Sequence, residues 1–270
     1  QAIGAFSAIR KHHDGEYIVL LTTEPYKEFA EALGFFDEVW TGGRPASSKI
    51  NTWIDLRRRL IGGNFFRVYD LQTSDRSSFY RYLFWPGSVP EWSGIAWNCS
   101  HPHNNPQRDT LHTVERQAEQ LRAAGIALVP SLDLLAINFK NLGKQTGFGL
   151  VGDYALLAPL GAASRPLKRW PLNRFASLAR FLFEKNIIPV LLGTESEEDA
   201  IKEIIYKCPG ALNLVGKTSI LDLVKLGFGA VVAVGNDTGP MHIAASTGCS
   251  SVVLYSNDSD PKLCGQRGLS

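Results

Sequence analysis

Apolar residues recur along this chain with two alternating spacings. Ala2, Ile3, Phe6 and Ile9 follow the spacing of one helix face, whereas Tyr17-Ile18-Val19-Leu20-Leu21 is a continuous run, as in a strand buried on both sides. The alternation continues. Glu24 to Leu33 is predicted helical, with Pro25 at its start and Gly34 past its end, and Glu38 to Thr41 a short strand. Ile50, Trp53, Ile54 and Leu56, with Arg57, Arg58 and Arg59, outline an amphipathic helix stopped by Gly62-Gly63. Phe65 to Gln72 is the next strand, Ser77 to Phe84 a helix and Ser93 to Trp97 a strand. Asp109 is placed as the N-cap of a helix reaching Ala124, with Gly125 as the stop.

Ile126 to Gly152 breaks the periodicity with Pro130, Gly143, Gly147 and Gly149, so a linker is expected there, with a boundary near residue 140. A second alternating set follows. Tyr154 to Ala158, Ile187 to Leu192 and Ala211 to Val215 are predicted strands; Asn173 to Lys185, Ser196 to Tyr206 and Ile220 to Leu226 are predicted helices. The fold class is therefore α/β, with mostly parallel sheets covered on both faces. The expected domains are 1–140 and 141–270, two open sheets with a cleft between them. Because such a sheet seldom opens on a helix, a strand and its loop are expected upstream of Gln1.

The most informative stretch lies near the C-terminus. The apolar run Ala230 to Val234 leads into Gly235-Asn236-Asp237-Thr238-Gly239, then Pro240, suited to the first helical position, and on to Met241-His242. Strand Ser251 to Tyr255 closes the unit. The free amides of Thr238, Gly239 and Met241 at a positive helix end favour an anion, above all phosphate. The Thr238 hydroxyl and the His242 ring are candidate side-chain donors. A strand–helix turn with nothing bound fits the same residues.

Composition narrows the class. The 270 residues carry a net charge of +2, which makes no general case for nucleic acid or an acidic partner. Cys99, Cys208, Cys249 and Cys264 have no metal spacing and fit a reducing cytosol rather than a disulfide scaffold. No apolar run approaches the roughly 20 residues of a membrane span.

Two further strand ends carry candidate chemistry. After Ala158 come Gly161, Ser164, Arg165, Lys168 and Arg169, whose small residues admit a ligand and whose cations would neutralise a leaving diphosphate. A solvated basic loop fits equally. After Leu192 come Glu195, Glu197 and Glu198, of which one could hold ribose hydroxyls; Ser196 with Asp199 also fits a capping box. In the first half, Cys99 to Asp109 gathers His101, His103 and Arg108, with His112 a turn later, which fits a polar substrate-recognition loop and equally a merely solvated one. A zinc site there lacks a third ligand at standard spacing. Asp70 and Asp75 flank a strand end as candidate acids or bases.

Asp237-Thr238-Gly239-Pro240-Met241-His242, the Gly161 to Pro171 stretch ending Lys168-Arg169-Trp170-Pro171, and the Leu191 to Glu198 turn come in an order and spacing that resembles glycosyltransferase family 9, the ADP-heptose:lipopolysaccharide heptosyltransferases. Tyr17 to Trp40, Tyr69 to Gln72 and His101 to Leu121 are similar to its N-terminal half. The resemblance implies a GT-B fold, two Rossmann-like domains facing across a cleft. It implies inverting, metal-independent transfer from an ADP-sugar to a lipid-linked saccharide, without a cofactor, in the cytoplasm with peripheral contact to the inner membrane. Carried onto this sequence, Ser164, Thr238, Gly239 and His242 would bind the donor, Lys168 would offset leaving-group charge, and Glu197 or a neighbouring acid would hold the ribose. Asp237 would shape the turn, and His101, His103 and Arg108 would meet the acceptor. The family's general-base aspartate falls upstream of Gln1, so no residue here is assigned that role. The rival readings are a GT-B transferase or epimerase using a UDP-sugar, and a nucleotide-sugar-binding module without catalysis.

Overall fold

The computed structural model describes residues 1–131, 134, 137, 147–161, 167, 169–256 and 259–267. The chain divides into two compact units, Gln1–Leu132 and Asp133–Ser270. Every strand pair described in either unit is parallel.

In the first unit, α1 (Ile3–His12), β1 (Val19–Leu21), α2 (Lys27–Leu33), β2 (Glu38–Trp40), α3 (Ile50–Gly62) and β3 (Arg67–Tyr69) follow the predicted order. The strands form two sheets, β1-β2 and, with β4 (Glu91–Gly94) and β5 (His101–Pro102), β3-β4-β5. Here the sequence reading needs correction. β4 begins two residues earlier than expected, and β5 lies in a stretch read as loop, because two residues are too few to show any period. The helix expected over Ser77 to Phe84 is instead α4 (Asp75–Phe79) followed by a tighter 3₁₀ segment, Tyr80–Phe84. The long helix α5 (Thr113–Ala123) starts at an N-cap His112, whose Nδ1 accepts from Val114 N, while Asp109 sits in a separate 3₁₀ turn. Ala5, Ala8 and Ile9 of α1 pack against Leu121 of α5; Leu56 and Leu60 of α3 pack with Tyr80, Phe84 and Trp92.

The second unit is one five-stranded sheet of order β10-β9-β6-β7-β8, from β6 (Tyr154–Ala158), β7 (Ile188–Leu191), β8 (Leu212–Asn213), β9 (Val232–Asn236) and β10 (Ser251–Leu254). The two-residue period of a strand explains how β6 is buried throughout. Ala155 and Leu157 join Phe175, Ala176 and Ala179 of α6 (Leu172–Glu184) and Ile204 of α7 (Lys202–Lys207). Tyr154, Leu156 and Ala158 join Leu226 of α8 (Ile220–Gly229) and Met241 and Ala244 of α9 (Gly239–Ser246). Both faces are therefore covered. Trp170 stands edge-on to Phe175, ring centroids 5.0 Å apart, and belongs to the first of these layers.

From β6 the chain winds outward through β7 and β8, then returns to lay β9 along the other side of β6. The loops leaving β6 and β9 thus diverge at a topological switch point, where open α/β sheets bind ligands. The approach is tight: a Cβ on Gly235 would lie 2.7 Å from Ala158 Cβ and 2.8 Å from Met241 Sδ. Gly235→Ala is therefore expected to destabilise the protein by about 1–3 kcal/mol through overpacking, read as a lowered urea midpoint with no loss of soluble yield.

Candidate functional site

At the switch point β9 ends in Asn236, and Thr238, in extended geometry, is the N-cap of α9. Its hydroxyl does not cap. Thr238 Oγ1 is buried and has no hydrogen-bond partner among the described residues, although an N-cap threonine ordinarily accepts from a first-turn amide. Met241 N and His242 N both reach Thr238 O, at 3.1 and 3.3 Å, so Met241 is not the open donor the sequence suggested. The amides of Thr238 and Gly239 remain, without a partner among the described residues. Gly239 has open space on its side-chain side. Pro240 occupies the second helical position, where its missing N–H is equally harmless. Two amides, one buried hydroxyl and the positive end of α9 make a site for an anion or for an oxygen that accepts hydrogen bonds.

Asp237 faces the other way, its side chain 7% exposed. It accepts from Ser259 Oγ and, at 3.1 Å, from Gln266 Nε2; His242 Nε2 lies 3.6 Å from its Oδ1. Asp237 thus braces the turn from behind and stands beside His242, which is partly exposed.

The loops after β6 and β7 meet the turn at Gly161. A Cβ there would come 3.0 Å from Thr238 Cγ2. Gly161 N donates to Glu197 Oε1 at 3.0 Å, and Arg169 Nη2 donates to Gly161 O at 2.6 Å. Glu197 Oε2 accepts from Thr194 N (2.8 Å) and Thr194 Oγ1 (2.9 Å). Both oxygens of Glu197 are therefore engaged within the protein. The capping box is Thr194 with Glu197, not Ser196 with Asp199, and Glu195 and Glu198 are the exposed acids of this turn. Asn236, 1% exposed, joins the same junction: its Nδ2 donates to Pro159 O at 2.8 Å and its Oδ1 accepts from Trp170 N at 2.9 Å. Sequence reasoning passed over Asn236 as turn chemistry; its signal was a polar side chain at the inner end of an apolar strand. Ser164 and Lys168 lie outside the described residues.

A second polar cluster sits at the strand ends of the first unit. Asp70, just past β3, is buried, and its Oδ1 accepts from Gln72 N (3.2 Å) and Thr73 N (3.0 Å). Its Oδ2 is buried without a partner among the described residues, and burial pushes the carboxyl above its ordinary pKa. Arg108 Nη2 donates to Thr73 Oγ1 at 2.7 Å. His103 is buried, and neither ring nitrogen has a hydrogen-bond partner among the described residues; Nε2 lies 3.6 Å from Glu119 Oε2, and burial lowers its pKa. His101 is drawn elsewhere, its Nε2 3.4 Å from Glu91 Oε2. Gln120, absent from the sequence candidates, ties the strand ends together from Nε2 to Asp70 O (2.9 Å) and Ser93 O (3.1 Å). Nothing in its local pattern marks it, because its partners are fifty and twenty-seven residues away.

Three comparisons bear on the identity of this arrangement. The family described as glycosyltransferase family 9 (heptosyltransferase) matches residues 53–266. Lipooligosaccharide heptosyltransferase 2 of Haemophilus influenzae is 34% identical over 126 residues, covering 44% of this chain and only 36% of that protein's length. Among solved structures, Escherichia coli ADP-heptose LPS heptosyltransferase II aligns over 99% of this chain and 84% of its own, with a TM-score of 0.78 and 20% identity. E. coli heptosyltransferase WaaC with ADP aligns over 99% of this chain and 86% of its own, at 0.74 and 20%. At that identity the structural likeness establishes the fold, which is GT-B.

Asp70 makes a pH-dependent contribution whose sign follows from its burial. A raised folded pKa means the folded state holds the proton more tightly than the unfolded one. Stability therefore falls as pH rises from the unfolded value of about 4 through the folded one. Asn keeps the Oδ1 acceptor for Gln72 and Thr73 and removes the charge. Asp70→Asn should be more stable than the parent at about pH 7 and lose that advantage at about pH 3, measured as the difference in urea midpoints.

Proposed function

The chain belongs to glycosyltransferase family 9, and from that premise we propose that it transfers a heptose or related sugar from an ADP-sugar to a lipopolysaccharide core acceptor, with inversion at the anomeric carbon. One observation carries the reading: the buried Thr238 hydroxyl, next to the amides of Thr238 and Gly239 at the opening of α9, all without a partner among the described residues, at the β6–β9 switch point. A diphosphate supplies the acceptor oxygens these donors lack. The E. coli relatives whose fold this chain shares are named for ADP-heptose or hold ADP.

In the proposed reaction the acceptor hydroxyl attacks the anomeric carbon from the face opposite the diphosphate, and the C–O bond to the diphosphate breaks. Negative charge grows on the departing ADP. The amides of Thr238 and Gly239, the Thr238 hydroxyl and the His242 ring would take up that charge, and Lys168 and Ser164 would add to them. Catalysis by these donors is metal-independent. Asp237 keeps its charge away from the diphosphate by facing Ser259 and Gln266. Glu197 serves the same site by fixing the Gly161 backbone, which leaves ribose contact to the exposed Glu195 or Glu198. On the acceptor side, His103 and Arg108 lie with Asp70 at the strand ends of the first unit, and His101 stands apart beside Glu91. A general base takes the acceptor hydroxyl's proton as the new glycosidic bond forms; none of the residues named above is assigned that role. The working location is the cytoplasm, against the inner membrane where a lipid-linked acceptor resides.

Thr238→Val keeps the shape and deletes the hydroxyl. Losing one hydrogen bond to a charged group, worth about 1.5 kcal/mol, should weaken ADP binding about tenfold, measured by titration calorimetry, with the melting temperature of the ligand-free protein raised, because the deleted hydroxyl is a buried group without a partner among the described residues. Tighter binding of UDP than of ADP would reject the ADP-sugar reading in favour of a UDP-sugar enzyme.

A further inference from the structure

The loop after β6 is gripped at one residue from both sides. Gly161 N donates to Glu197 Oε1 at 3.0 Å, and Gly161 O accepts from Arg169 Nη2 at 2.6 Å. The two gripping side chains come from different places. Glu197 lies on the turn after β7, tied there by Thr194 N and Thr194 Oγ1 at 2.8 and 2.9 Å, and Arg169 lies just before α6. They also stand together, with Arg169 Nη2 4.0 Å from Glu197 Oε1. What they grip has little slack. A Cβ on Gly161 would lie 3.0 Å from Thr238 Cγ2, so the course of this backbone limits where the Thr238 side chain can stand.

Arg169 starts from a fixed point. The next residue, Trp170, gives its amide to Asn236 Oδ1 at 2.9 Å and sets its ring edge-on to Phe175. Asn236 in turn gives its Nδ2 to Pro159 O at 2.8 Å. The guanidinium therefore reaches from the end of β9 back to the loop after β6, and so joins three strand ends with Glu197. Its Nε is buried, without a partner among the described residues. The Glu197 side chain is 14% exposed, and a carboxylate so enclosed is costly unless a cation pairs with it. Arg169 is that cation.

We propose that Arg169 is a positioning residue of the donor site. Paired with Glu197, it clamps Gly161, fixes Thr238 in place for the diphosphate, and cancels a carboxylate that would otherwise repel it. Arg169 then acts on the leaving group without touching it, unlike the direct charge role that its place in a basic loop suggests. Geometry favours the clamp over direct contact. Nη2 is committed to Gly161 O, the Nε edge is closed off from solvent, and the charge is matched by Glu197. This role rests on the diphosphate reading of the α9 opening.

Two substitutions and their combination test the clamp on the whole chain, by calorimetric titration with ADP and by urea unfolding without nucleotide. Arg169→Met keeps the aliphatic stem and removes the charge. Glu197→Gln keeps an acceptor for Gly161 N and a donor for the Thr194 hydroxyl. Arg169→Met alone should weaken ADP binding at least about tenfold, because a lone carboxylate then faces the diphosphate. Glu197→Gln alone should weaken it about threefold or less. Adding Glu197→Gln to Arg169→Met should restore affinity to within about threefold of the parent, and Arg169→Lys, which keeps the charge, should bind ADP more tightly than Arg169→Met. In urea the double variant should lose less stability than the two single losses added together. An arginine that touches the diphosphate would show no recovery in the double variant, and a merely structural one would leave ADP affinity unchanged; either result overturns the proposal. Additive losses in urea would overturn it as well. A parent that binds no ADP, with the urea losses still non-additive, overturns the diphosphate reading alone.

Discussion

The second unit depends on two backbones coming closer than side chains would allow. Gly235 lies against Ala158 and Met241, and Gly161 lies against Thr238. Without a Cβ at either place, β9 can end level with β6 and α9 can start directly above the sheet. The donor groups at the opening of α9 are then a result of packing. A helix that begins there, with the Thr238 methyl in the space a Cβ on Gly161 would crowd, keeps an N-cap hydroxyl that makes no cap hydrogen bond. Asn236 completes the junction by bonding to the Pro159 carbonyl and the Trp170 amide, where the parallel ladder has run out of partners.

Two carboxylates lie close to this anion-favouring corner, an arrangement that would repel a diphosphate if they were left alone. Each is turned into a scaffold. Asp237 is held by Ser259, Gln266 and the neighbouring His242; Glu197 is held by Gly161 N, Thr194 and, at 4.0 Å, Arg169. Their charge is spent on fixing loops, which leaves the amides at the opening of α9 as the described groups that favour an anion. Glu195 and Glu198 are left exposed on the turn that carries Glu197.

How much of this could be read in advance varied with the range of the interactions involved. β6, β9 and β10 were visible because a strand buried on both faces is a continuous apolar run. The start of α9 was visible because Gly-Asn-Asp-Thr-Gly-Pro is local turn chemistry. What failed was of two kinds. His112 caps α5 in place of Asp109 and Thr194 pairs with Glu197 in place of Ser196 with Asp199, local choices between neighbouring capping residues, whereas β5 is a strand only because Ser93 and Gly94 lie beside it. Exposure of individual aromatics was equally hidden. Trp85 and Trp92 are both tryptophans in a mixed sequence, and only the packing of α3 and β4 decides that one is core and the other surface.

The two units share one more feature, and it has an energetic logic. Among the described residues each leaves buried polar atoms without a partner near its strand ends: Thr238 Oγ1 and Arg169 Nε in the second, and Asp70 Oδ2, Trp92 Nε1, Arg108 Nε and the His103 ring in the first, with Ser78 Oγ and Arg81 Nε unpaired on the segment after β3. An orphaned buried group costs about 1–3 kcal/mol, so several of them together rival the net stability of a domain. Elsewhere the chain spends side chains to avoid this, with Gln120 and Asn236 bridging carbonyls that a strand edge would otherwise strand. Groups left unpaired beside such careful pairing mark the places where the folded protein is incomplete by itself. In the second unit that place is the opening of α9. In the first it is the Asp70 loop, where Gly94 approaches so closely that a Cβ would lie 3.2 Å from both Asp70 Cβ and Trp92 Nε1. Strand ends in this fold are therefore kept short of full satisfaction while the sheet beneath them is packed on both faces, and that packing is what makes the deficit tolerable.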